Sequence, residues 1–178
     1  MLQLSQTLLN RPIMSLRTGG RIGTTLATII NPNNLKIEGF YCQDAFDKKR
    51  RAVLLYQDIR DLVPQGIAVN DHDVLTSPDE LIRLKEIMEH NFELLGKPVF
   101  SASKQKLGKV NDYATDAETM YVQKLYVSRS VIKSLTTGSL SIDRSQILEI
   151  TNRKIIVQDP LQRIASNVGA PAAIPLTN

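Results

Sequence analysis

The feature that most limits what this chain can fold into is an internal repeat: its first half is spelled out again, in looser form, by its second. Leu8-Leu9-Asn10-Arg11-Pro12-Ile13-Met14-Ser15 reads against Leu94-Leu95-Gly96-Lys97-Pro98-Val99-Phe100-Ser101. Arg21-Ile22-Gly23 reads against Lys106-Leu107-Gly108, and Ile37-Glu38-Gly39-Phe40-Tyr41-Cys42 against Val122-Gln123-Lys124-Leu125-Tyr126-Val127. Asp58-Ile59-Arg60-Asp61-Leu62 then matches Gln146-Ile147-Leu148-Glu149-Ile150, and Ile67-Ala68-Val69 matches Ile155-Ile156-Val157. The offset is 86 from Ile13 to Val99 and 88 from Ile59 to Ile147, so a small insertion sits in the second copy after Tyr126. Two copies in one chain of 178 residues leave room for two small units or one composite fold.

Each copy reads as short strands. In the first, residues 13–16 follow Pro12, which suits a strand start, and Gly19-Gly20 marks a turn. Residues 24–30 are β-branched and extended, Asn31-Pro32-Asn33-Asn34 is a turn, and residues 35–42 resume a strand. Residues 52–56, 59–62 and 67–69 complete the copy; residues 99–101, 109–115, 120–127, 140–142, 146–150 and 155–157 form the second. The pattern predicts a mainly β protein of two small barrels, since closing each sheet hides its edge strands.

Between the copies, Ser77-Pro78-Asp79-Glu80 combines an N-cap residue, proline at the first helical position and glutamate at the third. Leu81, Leu84, Ile87 and Met88 share one helical face, and Asp79–Arg83, Lys85–Glu89 and Glu86–His90 are spaced four apart. An amphipathic linker helix over 76–93 follows, packed so that the two units are fixed relative to each other. The expected organisation is a first unit over 1–75, the linker, a second unit over 94–160 and a loose tail over 161–178, with a short helical turn in the insertion at 128–135.

These units resemble PRC-barrels, the small barrels of the photosynthetic reaction-centre H subunit and of the C-terminal half of the ribosome maturation factor. The opening Pro-apolar-Ser strand, the glycines of Ile22-Gly23 and Leu107-Gly108, and the long hairpin after them carry the resemblance, over roughly residues 8 to 159. The second copy carries it more fully, through Leu107-Gly108-Lys109-Val110-Asn111-Asp112-Tyr113 and Ser141-Ile142-Asp143-Arg144-Ser145-Gln146-Ile147. The first departs at Thr24-Thr25-Leu26. The resemblance implies a non-enzymatic binding or assembly module, in line with relatives in ribosome assembly, photosynthetic complexes and archaeal cell division.

Composition narrows the chemistry. A 42% hydrophobic content supports a packed core, and 22 basic against 18 acidic residues make the chain only mildly basic. Aromatic content of 5% without Trp argues against a base-stacking platform. Cys42 is the only cysteine, which excludes an intramolecular disulfide and a cysteine-based zinc site and suits a reducing cytoplasm. The first residues lack the basic start and apolar run of a signal peptide, and no apolar run approaches the roughly 18 residues of a membrane span.

Candidate sites are few. Gly19-Gly20-Arg21-Ile22-Gly23 is followed by a β-branched run rather than a helix, so it reads as a tight turn and not a phosphate loop. Asp71-His72-Asp73 lacks the further convergent ligands a metal needs, and Cys42, on an apolar strand, reads as a buried inert thiol. The densest basic run, Lys48-Lys49-Arg50-Arg51, lies on a hairpin loop and is the candidate partner contact; Lys104, Lys106 and Lys109 are candidates to extend it. The sequence therefore predicts no enzyme, no cofactor and no metal, but a cytoplasmic adaptor whose paired units bind a protein through the groove between them and this loop. RNA, ribosome or anionic-surface binding through residues 48–51 is the alternative, and homo-oligomer formation stays open.

Overall fold

The computed structural model describes residues 1–128 and 139–159. The chain opens with a short strand, β1 (Leu2–Leu4), and a single helical turn, α1 (Ser5–Leu8). The first unit follows as β2 (Pro12–Ser15), β3 (Arg21–Asn31), β4 (Lys36–Asp44), β5 (Arg51–Leu55), β6 (Ile59–Val63), β7 (Gly66–Val69) and β8 (Leu75–Thr76). After the linker, which ends in α2 (Lys85–Glu89), come β9 (Pro98–Ser101), β10 (Lys106–Asp116), β11 (Val122–Ser128), β12 (Ser139–Asp143), β13 (Ile147–Ile150) and β14 (Ile155–Val157). The helical turn expected in the insertion, beyond Ser128, and the tail over 161–178 lie outside the described residues.

The two sheets have the same strand order. The first runs β6-β7-β2-β3-β4-β5-β8, and the second runs β13-β14-β9-β10-β11-β12. In both, the opening strand pairs in parallel with the last long strand, Ile13 with Ile67 and Val99 with Ile155. Alternation sets which side chains point inward: Pro12–Ser15 and Pro98–Ser101 each bury their second and fourth residues. β1, which the sequence groups with the first unit, instead adds to the second sheet, with Leu2 opposite Asp116 and Leu4 opposite Ala114. Ser5 anchors it, donating its hydroxyl to the buried Asp112 carboxylate at 2.5 Å.

Neither sheet closes into a barrel among the described strands. Its ends curl over the core instead: Ile59 and Leu62 of β6 and Leu75 of β8 all pack on it. A barrel needs its end strands to share a staggered ladder, and the two-residue β8 offers too little of one.

The linker also departs from expectation. It is not a continuous helix but two 3-10 turns, Pro78–Glu80 and Ile82–Leu84, followed by the five-residue α2. The Ser77 side chain caps nothing, and Leu81 breaks the helical path at φ −93°, ψ 68°. Of the spaced pairs, Lys85–Glu89 closes at 3.9 Å. The reason is burial: none of Leu81, Leu84, Ile87 and Met88 is fully buried, and Ile82 is 83% exposed. A short helix without a buried stripe has too little to offset nucleation.

Residues of both units form one continuous core, with Phe40, Ile37, Leu54 and Ile67 on one side and Leu125, Val122, Val99 and Ile155 on the other. Backbone bonds sew the units together reciprocally. Ile37 N–H donates to Met120 O at 2.8 Å, and Val122 N–H donates to Leu35 O at 2.9 Å. These four residues are two corresponding pairs of the repeat, each offset by 85 (35 to 120, 37 to 122), so the seam is a pseudo-twofold contact.

The glycines shared by the two copies have a steric reason. A Cβ on Gly108, at φ +151°, would lie 2.0 Å from Ser128 O, and one on Gly23 would lie 2.8 Å from Gln43 O. Gly108→Ala is therefore expected to destabilise the protein by roughly 3 kcal/mol in urea unfolding. A loss under about 1 kcal/mol would show that the strand can move aside.

Candidate interaction surface

The linker turns lie across the outer side of the first sheet and leave a groove on each flank. One, of about 490 Å³, is lined by Lys36, Glu38, Tyr56, Leu81 and Leu84. The other, of about 910 Å³, is lined by Leu26, Tyr41, Arg51, Ile82 and Met88. Leu81 and Ile82 belong to both, so the broken helix forms the ridge between them. Leu26 and Ile82 are large apolar side chains left exposed here. These two grooves lie between the first sheet and the linker; a third, of about 450 Å³, lies between the two units, where the sequence expects the binding groove, and is lined by Pro32, Asn34, Arg144 and Leu148.

The smaller of the two linker grooves borders the seam. Lys36 Nζ sits 5.1 Å from the Tyr56 ring and 5.8 Å from the Tyr121 ring, and Arg144 lies 4.9 Å from Tyr121. Lys36 corresponds to Tyr121 and Tyr56 to Arg144 in the repeat, so cation and ring exchange places across the pseudo-twofold. Tyr56 donates its hydroxyl to Glu118 O, while Arg144 donates to Asn34 O at 2.7 Å. This wall of the groove is held from both units.

The basic run divides. Lys48 and Lys49 are exposed on the β4–β5 connection. Arg50 turns inward, donating to Asp44 Oδ2 at 3.3 Å and Leu75 O at 2.8 Å. Arg51, the first residue of β5, lines the larger groove beside Tyr41. Lys104, Lys106 and Lys109 belong to the β9–β10 hairpin of the other sheet, which corresponds to the Gly19-Gly20 hairpin and not to this connection.

Asp71, His72 and Asp73 do not converge. His72 Nε2 lies 2.9 Å from Asp44 Oδ2, and its ring packs edge-on against Phe46 at 5.0 Å. Asp71 pairs with Arg17 at 2.5 Å and accepts from the Ser15 hydroxyl at 3.1 Å. The Gly19-Gly20 segment is a tight turn, with Gly19 at φ +69° and Ser15 N–H donating to Gly20 O at 2.9 Å. Cys42 is buried, donates to Phe40 O at 3.3 Å, and burial pushes its thiol up to about 12, so it is not a thiolate at neutral pH.

Asp44 is the hub that residue-by-residue reading misses. Its side chain is 1% exposed, and Oδ1 accepts the Phe46 amide at 2.8 Å. An ionised carboxylate only accepts, so His72 donates through Nε2–H. Burial by itself would raise the Asp44 pKa; the Phe46 and Asp47 amides and His72 outweigh it and hold the group below the ordinary carboxylate value. The sequence did hold a signal, since alternation along β4 puts Asp44 on the inward face of Phe40 and Cys42.

No protein-family model matches this chain, and no curated protein matches it. Among the described residues no helix is long and apolar enough to cross a membrane.

A folded-state pKa below the ordinary value gives stability that is present at neutral pH and is lost as pH falls through the lowered value. Asp44→Asn is expected to cost about 2 kcal/mol or more at pH 7, because it leaves Arg50 and His72 facing a neutral amide. That difference from the wild type should shrink as urea unfolding is repeated down to about pH 3. A constant difference across that range would contradict a role for the Asp44 charge.

Proposed function

We propose that this protein is a non-enzymatic, cytoplasmic adaptor whose two PRC-barrel-like units present one composite surface to a protein partner. The observation that carries this reading is the under-packed linker. Leu81, Ile82 and Met88 border largely apolar grooves between the linker and the first sheet, and an exposed apolar groove of this kind is what a docking surface requires. A non-catalytic role is further supported by the buried, neutral Cys42 and by the structural use of His72 and Asp44 on Arg50 and the β4–β5 connection.

A second reading, RNA or an anionic surface, draws on the exposed Lys48, Lys49 and Arg51. It is the weaker one, because Arg50 is spent on Asp44 and three cations make a small electrostatic footprint.

Affinity capture from native lysate with the wild type, Ile82→Asp, and a Lys48→Glu/Lys49→Glu/Arg51→Glu variant separates the readings. The adaptor reading predicts a discrete protein set that survives moderate salt and is lost with Ile82→Asp. RNA or lipid that falls away with salt, and with the charge-reversal variant alone, would favour the second reading. A retained set that neither variant alters would contradict both.

A further inference from the structure

The two copies hold a cation just before their opening strands, and they satisfy it differently. The repeat pairs Arg11, which precedes β2, with Lys97, which precedes β9. Each cation pins the turn before the last long strand of its own sheet. Arg11 donates to Val63 O at the β6–β7 turn, and Lys97 Nζ donates to Asn152 O in the β13–β14 turn at 2.8 Å. Arg11 has a second acceptor, Gln3 Oε1 at 3.3 Å, which β1 brings to it. The repeat places Glu89 where the first copy has Gln3, and Glu89 is turned to Lys85 instead. Among the described residues, Asn152 O is therefore the one hydrogen-bond acceptor of Lys97.

An ammonium has three donors, and burial makes unpaired donors costly. Lys97 is 8% exposed, and its Nζ lies 4.4 Å from the Phe92 ring. Burial holds its pKa below the ordinary lysine value, and the Glu93 carboxylate pulls it partly back. Lys97 lines a pocket of about 490 Å³ together with His90, Phe92, Glu93 and Arg153. That volume is within the roughly 300–1,000 Å³ of small-molecule sites. Arg153 is exposed, and among the described residues its side chain makes no hydrogen bond or ion pair. Two cations thus face one carboxylate, Glu93, which leaves one positive charge unbalanced with histidine counted as neutral. A single negative charge balances it. A phosphate group carries nearly two at neutral pH and would meet Glu93 with the excess.

We infer that this pocket binds a small monocarboxylate, whose carboxylate gives Lys97 its missing acceptor and takes the planar fork of Arg153. Leu95 and Pro98 complete the lining and suit an apolar remainder of the molecule. Leu81 and Ile82 take no part in this pocket, so the inference stands or falls apart from the adaptor reading.

The test is an amide NMR titration of the full chain with butyrate, butyramide and inorganic phosphate at constant ionic strength. Butyrate should shift the amides of residues 90–98 and 152–153 saturably, with a Kd on the order of millimolar. It should also raise the pKa of the Lys97 side chain, because an anionic partner favours the charged ammonium. Butyramide, which has the same shape without the charge, should bind at least about tenfold more weakly. Arg153→Gln, at an exposed position that spares the fold, should weaken butyrate by about tenfold. Lys154→Gln, next to it and outside the pocket, should change binding by less than about twofold. Four outcomes overturn the inference: no saturable shift, shifts centred elsewhere, equal weakening by the two variants, or phosphate bound as tightly as butyrate.

Discussion

Everything else in this fold depends on the reciprocal seam at Leu35–Ile37 and Met120–Val122. Leu35 and Met120 adopt left-handed backbone conformations, at φ 52° and 58°, which glycine favours and these side chains resist. Each costs on the order of 1 kcal/mol, and burying each side chain returns about 2 kcal/mol. Both are at most 1% exposed. The conformation turns each hairpin so that its carbonyl meets the other unit's amide, giving two backbone bonds and one shared core instead of two separate ones. Thr28 and Tyr113 add a hydroxyl contact at 3.0 Å across the units, and β1 pairs with the second sheet from the far end of the chain.

A seam of this kind frees the linker from holding the units together. The linker can therefore stay short in helix and exposed in its apolar residues, and the grooves beside it follow from that. The first copy also has a fastening of its own. The first uses Asp44, Arg50 and His72 to fasten β8, and the described strands of the second repeat the order of the first from β6 to β5. Duplication thus supplies the scaffold, while the linker between the copies borders the grooves where binding is proposed.

The strands were legible because alternation and turn residues act locally. The span predicted at 155–157 is the one observed, and the others differ by a few residues at their ends. The linker helix was not, because capping residues and spacing set only a weak preference, and burial, which sequence does not display, decides whether a short helix persists. β8 is too short to leave a pattern. The seam left no trace, since Leu35 and Met120 carry no glycine or asparagine signature for their backbone conformation. Of the basic run, exposure of Lys48 and Lys49 follows from their loop, but the inward turn of Arg50 depends on Asp44, and only the alternation of β4 hinted that a carboxylate lay buried there.

The central claim is that the two sheets form one cooperative body. Ile67, fully buried in the first sheet, offers the direct test. In hydrogen exchange followed by mass spectrometry, Ile67→Ala should remove a cavity's worth of stability, about 2–4 kcal/mol, and protection should fall together in β2–β7 and in β9–β14. A loss confined to the first sheet, with the second exchanging as in the wild type, would mean that the seam joins two independent domains and would contradict the account.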